Sequence, residues 1–321
     1  MRLVPAEGRA LEEILRESHA IWSDGLTREA YAKYNAAQLR TPWGSRHLHR
    51  VVLVADDGEV LSSAKRYDFT VRLDGELVQA IGIGAVFTPD RQRGHGYARE
   101  IIDRLADAAA DRGAALAILF SEIDPDYYAS MGFVAIPRRE LLIRARVSKR
   151  GAPAVLVRAG EERDIPAVAA LAKSMAVPHR FALEPGEDLV RFSLTKKRLL
   201  AGFLDPHLLN VEFFIVEEGA AAVAFAILTV TTEDIVLEMC GDRDPSGARV
   251  GALLQVLRAR TPTESSPPIS CFLPPGWLPP QVEIEGGAPV KEVMMVKPLR
   301  QRRLEPALTA EDVLYWHGDL F

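Results

Sequence analysis

Apolar residues recur along this chain with two periods, and the switches between them predict its elements. Leu11, Ile14, Leu15 and Ile21 return near the helical period, predicting an amphipathic helix over 10–21 that Asp24-Gly25 breaks. A second helix is predicted from Thr27, a fitting N-cap, to about Arg40, and Pro42 prevents its continuation. Strand patterns follow at 51–55 and 60–73, and Asp74-Gly75 is a hairpin signal joining the latter to a partner strand at 77–88. Gly82 and Gly84 weaken that partner and mark a bulge or a close approach by another molecule. Helical spacing resumes over 96–112, gathering Ile101, Ile102, Leu105 and Ala109 on one side, with Gly113 just past its end. The unbroken apolar run 115–120 predicts a strand covered on both faces. A short helix at 125–131 and strands near 133–136 and 140–146 complete the first half.

Ser148-Lys149-Arg150-Gly151-Ala152-Pro153 has the composition of a linker, and beyond it the order of elements begins again. A strand at 155–157, helices at 164–175 and 188–200, strands at 211–216, 220–230 and 235–240, and a helix at 248–260 are predicted. The Pro-rich stretch 261–280 is expected to be an irregular connection interrupted by a strand at 269–273. The fold class is α+β (α/β mixed sheet), with two copies of one fold, each a mostly antiparallel sheet flanked by helices. The expected division is 1–147, 155–300 and a C-terminal tail at 301–321.

Composition narrows the function classes. With 321 residues, 48% hydrophobic and 26% charged, the chain can bury a large core, and its net charge of −5 offers no basic patch for nucleic acid or an anionic membrane. Two cysteines and seven histidines stand without metal-ligand spacing, so no metal is expected; His47 and His49 are expected to face solvent or lie in a loop. The first ten residues lack a signal-peptide core and no run reaches the ~18–20 apolar residues of a membrane span, so a cytoplasmic protein is expected.

The chemistry is concentrated between Gly82 and Ala98, a strand followed by a glycine-rich turn and the start of a helix. Helix starts carry unpaired N–H groups and partial positive charge, so a pyrophosphate is a natural ligand there. Gly94 and Gly96 remove side chains that would keep an anion away. A dinucleotide fingerprint would need a third glycine where Arg99 stands, and a nucleotide P-loop would need Gly-Lys-Ser/Thr, which is absent. Arg93-Gly94-His95-Gly96-Tyr97-Ala98 fits the Arg/Gln-x-x-Gly-x-Gly/Ala pattern of the Gcn5-related N-acetyltransferase (GNAT) family. Tyr128-Ala129-Ser130-Met131-Gly132-Phe133 resembles that family's Tyr-x-x-x-Gly-Phe, about thirty residues on.

This resemblance implies acetyl-coenzyme A (acetyl-CoA) as co-substrate. The amides of Gly94, His95, Gly96, Tyr97 and Ala98 would hold its pyrophosphate, with Arg93 orienting the loop. Val86, Phe87 and Thr88 would pair with the pantetheine arm, the Val86 amide facing the acetyl oxygen. Tyr128 would protonate the departing thiolate. Glu122 is the candidate base, beside Asp124, whose Asp124-Pro125 step also fits a helix cap. The acceptor is expected to be a small-molecule primary amine, lysine-like or otherwise cationic. The first ~150 residues also resemble fungal lysine N-acetyltransferases, around Trp22, Tyr31, Trp43, the run Val51 to Leu61 with Leu61-Ser62-Ser63, and Val86-Phe87-Thr88-Pro89. A non-catalytic acyl-CoA sensor is the alternative.

In the second half the corresponding loop, from Cys240 to Ala248, lacks the pattern, and Asp242 and Asp244 would repel a pyrophosphate. A degenerate GNAT-like domain that walls the acceptor groove is expected. Tandem members of the family, such as the enhanced-intracellular-survival acetyltransferases, bring a terminal carboxylate into the active site as a base. The aromatic tail Tyr315-Trp316-His317-Gly318-Asp319-Leu320-Phe321 is therefore a candidate to dock on the first groove, beside a plain packing role.

Overall fold

The computed structural model describes residues 1–147, 155–260, 267–300 and 304–321. The expected linker at 148–153, and Pro262 within the Pro-rich stretch, lie outside them. The helices are α1 (Gly8–Trp22), α2 (Arg28–Arg40), α3 (Gly44–His47), α4 (Tyr97–Asp111), α5 (Pro125–Ala129), α6 (Ile165–Ala176), α7 (Glu187–Phe203) and α8 (Ala248–Arg260). The strands of the first half are β1 (Arg2–Pro5), β2 (Leu48–Val54), β3 (Val60–Leu73), β4 (Glu76–Phe87), β5 (Leu116–Ser121), β6 (Val134–Ile136) and β7 (Arg139–Ala145). Those of the second half are β8 (Leu156–Ala159), β9 (Phe181–Leu183), β10 (Asn210–Glu218), β11 (Ala221–Val230), β12 (Ile235–Asp242), β13 (Ile269–Cys271), β14 (Val282–Pro289), β15 (Val293–Pro298) and β16 (Val313–Leu314).

These elements form two mixed sheets flanked by helices, an α+β architecture. The first runs β1-β2-β3-β4-β5-β15-β6, with β9 added to the far end of β3 and β16 to β9; the second runs β14-β7-β13-β12-β11-β10-β8. Each half thus lends strands to the other's sheet. β15 enters between β5 and β6, pairing Val293 to Pro298 with Ser121 to Leu116, while β7 lies between β13 and β14. Four exchanged strands, β7, β9, β15 and β16, tie the two sheets together more firmly than a flat domain contact.

Local signals account for many of the boundaries. Thr27 Oγ1 accepts from Ala30 N at 3.2 Å and starts α2, while Asp74 and Gly75, both at positive φ, turn β3 into β4. One face of the first sheet packs Ile81, Ile83, Ala117 and Leu119 against Ile101, Ile102 and Leu105 of α4. The other face carries Tyr67, Phe69, Val71 and Leu73, alternate residues of β3, against Phe181, Phe192, Met294 and Tyr315. That second core comes from both halves and from the tail. β1, α3, β9, β14, β15 and β16 were not among the predicted elements. His47 and His49 lie on different elements, α3 and β2, and His49 Nε2 is 3.1 Å from Asp68 Oδ2. Among the described residues no helix is long and apolar enough to cross a membrane, and no group of three or more His, Cys, Asp or Glu could hold a metal ion.

Candidate active site

The site is built where β4 and β5 part. The two strands are parallel neighbours from Ala80–Gly82 against Leu116–Ile118 only. Between Gly84 and Phe87, β4 has one more residue than the facing stretch of β3, and Ala85 takes φ 46° to accommodate it. The bulge turns the end of β4 away from β5, so backbone groups of Ala85, Val86 and Phe87 have no β5 partner. Ser62, fully buried, holds the departing strand: its Oγ donates to Phe87 O at 3.1 Å and lies 3.1 Å from Thr88 Oγ1. The Trp22 ring closes over Phe87 edge-on at 6.3 Å.

The resulting cleft is lined by Trp22, Gly84 to Thr88, Arg93, Ala98, Phe120, Glu122, Tyr127, Tyr128 and Phe321. It brings together the end of β4, two members of the glycine loop, Glu122 and Tyr128. Gly94, His95, Gly96 and Tyr97 stand at its outer end as the turn into α4. A 3-10 turn at Asp90–Gln92 precedes them, and Arg93 bends back, with Nε 3.3 Å from Thr88 O and an ion pair to Asp90 at 2.8 Å. Gly94 and Gly96 adopt φ 81° and 80°, yet a Cβ added to either would meet no atom within 4 Å. Their glycine is required by conformation as well as by any need to admit an anion. Gly96 caps α4 without a side-chain hydrogen bond, which leaves the first helical amides open to a ligand. The ring of His95 stacks on that of Tyr97 at 5.7 Å.

Tyr128 is half-buried on α5, its ring 5.1 Å from Tyr127 and 6.1 Å from Phe133. Burial, followed by the neighbouring Tyr127, pushes its phenol up to about 12, so the hydroxyl is protonated at neutral pH. Glu122 is exposed at the rim, just past β5. Asp124 is a cap: its Oδ1 accepts from Asp126 N at 2.9 Å, with Pro125 beginning α5.

The tail folds back onto this site. Tyr315 and Trp316 are buried, Trp316 N donates to Asp319 Oδ2 at 2.9 Å, and Lys196 Nζ donates to Leu320 O at 2.7 Å. The Phe321 ring lies 4.7 Å from Tyr67, 5.2 Å from Phe69 and 5.1 Å from Phe120. Cβ atoms added at Gly82 and Gly84 would stand 2.5 Å from Phe321 Cζ and 2.8 Å from Phe321 O. These two strand glycines therefore make room for the tail. The sequence reading gave Ser62 no role in the site, and it missed Lys65, which stands opposite Gly84, and Lys196, which holds the tail. For Lys65 a signal existed: it continues the period-two stripe of Tyr67, Phe69 and Val71, where a charge is out of place.

The equivalent junction of the second half is closed. Asp242, buried at the end of β12, accepts from Asp244 N at 2.8 Å, Arg249 N at 2.8 Å and Val250 N at 3.1 Å. A Cβ added at Gly247 would lie 2.4 Å from Trp277 Cζ2.

Residues 9–136 match the family described as the acetyltransferase (GNAT) domain. No curated protein matches the sequence. Among solved structures, a GCN5-related N-acetyltransferase from Kribbella flavida aligns with a TM-score of 0.68 at 17% identity, over 92% of this chain and 70% of that one. A probable N-acyltransferase from Enterococcus faecalis aligns with a TM-score of 0.65 at 12% identity, over 92% of this chain and 72% of that one. N-myristoyltransferase of Saccharomyces cerevisiae, solved with myristoyl-CoA, aligns more loosely, with a TM-score of 0.54 at 9% identity over 93% and 78%. At such identities these likenesses establish a shared fold and nothing finer. Residues 9–136 are thus similar to the acetyltransferase (GNAT) domain, and the fold of the chain as a whole is like that of GCN5-related N-acetyltransferase structures.

Proposed function

We propose that the chain transfers an acetyl group from acetyl-CoA to the primary amine of a small molecule, by direct attack of the amine on the thioester. One observation carries this reading: an uncapped helix start behind two positive-φ glycines stands at the end of a strand that has parted from its parallel neighbour. The first feature suits a pyrophosphate and the second an extended arm that hydrogen-bonds like a strand. In this reading amides of Gly94 to Ala98, with Arg93, hold the phosphates, and the backbone of Val86, Phe87 and Thr88 holds the pantetheine arm.

Three chemical needs follow. The carbonyl oxygen gains negative charge as the amine attacks, and the Val86 amide, fixed by the bulge, is the donor for it. The leaving thiolate needs a proton, and the Tyr128 hydroxyl, kept protonated by its buried surroundings, is its source. The alkylammonium, with a solution pKa of ~10.4, must lose a proton to Glu122 directly or through water. A second base is favoured by the Phe321 main-chain carboxyl against Gly84: where the chain ends at that residue, its carboxylate stands on the acceptor side. Residues 1–147 are the catalytic GNAT unit in this reading. Residues 155–300 are a degenerate copy that walls the acceptor groove, and 301–321 are the tail that completes it. The setting is cytoplasmic, without nucleic acid or membrane as partner.

Thiol release from acetyl-CoA, measured with a panel of amines, tests the reading. Turnover with at least one small amine is expected, and Tyr128→Phe is expected to lower kcat by roughly 10²-fold. Coenzyme A binding without thiol release for any amine would favour a non-catalytic sensor instead. Glu122→Gln and a one-residue extension after Phe321 separate the two bases, because only the true base yields a variant with a lost ionisation in the pH–rate profile.

A further inference from the structure

An acyl group longer than acetyl would need room beyond the point where β4 and β5 part, and the packing around Gly82 and Gly84 decides whether that room exists. In the sheet register Gly82 stands opposite Tyr67 of β3 and Gly84 opposite Lys65, so both glycines belong to the face that carries Tyr67 and Phe69. Between them Ile83 turns to the other face, where it is 1% exposed and packs with Leu119 against α4. That side of the strand is closed core. On the glycine side β4 contributes no side chain, and the filling comes from elsewhere in the chain.

Phe321 supplies most of that filling. A Cβ added at Gly82 would stand 2.5 Å from Phe321 Cζ and 2.7 Å from Phe69 Cε2. At Gly84 the three nearest atoms to such a Cβ all belong to Phe321, with O at 2.8 Å, C at 3.0 Å and Cδ2 at 3.2 Å. The ring thus lies lengthwise over the two glycines, walled by Tyr67 at 4.7 Å, Phe69 at 5.2 Å and Phe120 at 5.1 Å. The same residue lines the cleft together with Gly84, Val86, Phe120 and Tyr128. It stands as a plug between the cleft and an aromatic-walled trough with a glycine floor.

In the acetyl-transfer reading the pantetheine arm runs along β4 from Thr88 back to Val86, where the thioester carbonyl meets the Val86 amide. An acyl chain continuing in that direction comes next to Gly84 and then to Gly82. The two strands are joined again at Gly82, which pairs with Ile118. With closed core on the α4 side and paired strands ahead, the course left to the chain is the trough over the glycines. The Phe321 ring occupies it.

We propose that the Phe321 ring sets the acyl length of the donor: it leaves room for a methyl beyond the thioester carbonyl and shuts out longer chains. This rests on the transfer reading above and deepens it. The role belongs to the ring and is separate from any role of the Phe321 main-chain carboxyl as a base.

The test measures thiol release from acetyl-, propionyl- and butyryl-CoA with one accepted amine. In the full chain kcat/KM is expected to fall roughly 10-fold for each added methylene. Phe321→Ala, which keeps the main chain, should bring butyryl-CoA to within about threefold of acetyl-CoA, because the vacated trough buries the extra methylenes. Phe321→Leu, a milder change, should give a ratio between the two. Each ratio compares two donors on one protein, so a loss of folded enzyme or of the base cancels from it. Equal use of acetyl- and butyryl-CoA by the unmodified chain would overturn the proposal. So would unchanged donor selectivity in both variants with a raised KM for the amine, which would make the ring a wall of the acceptor site. Failure of every amine to release thiol would strike the transfer reading itself. Calorimetry with the donors alone then decides the inference separately: weaker binding of butyryl-CoA than of acetyl-CoA, evened out in Phe321→Ala, supports it, and equal binding to the unmodified chain overturns it.

Discussion

At the β4–α4 junction the first helical amides carry no side-chain cap, and the two glycines before them hold a turn that nothing else occupies. At the β12–α8 junction the Asp242 carboxylate accepts from Arg249 N and Val250 N, and Trp277 covers Gly247. The local problem is the same in both places: a helix start needs negative charge and hydrogen-bond acceptors. The second junction satisfies itself from within and gains stability. The first leaves the need open, which forgoes roughly 1 kcal/mol of capping and prepares a place for an external anion. In the proposed reading, the binding site is marked by what the chain has left unsatisfied.

Three changes break or sharpen this comparison. The largest effect is expected for Gly96→Val: a β-branched residue cannot hold φ 80° without strain, so coenzyme A affinity should fall roughly 100-fold by calorimetry while the far-ultraviolet circular dichroism stays unchanged. Asp242→Ala strips the closed junction of its acceptor. Stability in urea should drop by about 2 kcal/mol, and titration should still show no second equivalent of coenzyme A, because Trp277 remains in the way. If a second equivalent did bind, the carboxylate alone would be what keeps the second copy empty.

The smallest effect concerns the tail, which packs into the cleft of the first half. Burial pushes the Asp319 carboxyl up to about 6, against an ordinary value of 3.8. Because the folded state holds this proton more tightly, the wild-type chain loses stability as pH rises from about 4 through 6. Asp319→Asn, which keeps an acceptor for Trp316 N, should melt a few degrees higher than wild type at pH 8. The gap should close as pH falls from 6 to 4. An equal gap at both ends would mean that Asp319 titrates normally.

The candidate site was legible to different depths. The loop from Arg93 to Ala98 could be read directly, since a glycine-rich turn before an amphipathic helix is a local feature whose chemistry follows from the backbone. The α+β class was legible too, because the alternation of 2.0 and 3.6 periods is written residue by residue. Asp124 could be read either way, and its bond to Asp126 N identifies it as a cap. Strand β15 was not legible. Its partners on β5 and β6 are more than 150 residues distant, and nothing near Val293 announces them. The same holds for β9 and β16, short segments that become strands only because the far end of β3 offers an edge.

By itself the sequence determined the elements of the first half apart from β1 and α3, the glycine turn and the residue types around it, because each depends on neighbours within a few positions. Tertiary structure alone decided that β4 leaves β5 beyond Gly82, that Phe321 fills the space of two missing side chains, and that Arg50, Lys65 and Gly84 share one row. Register between strands and the return of a distant tail are set by the packing of whole faces, and no local window contains that information.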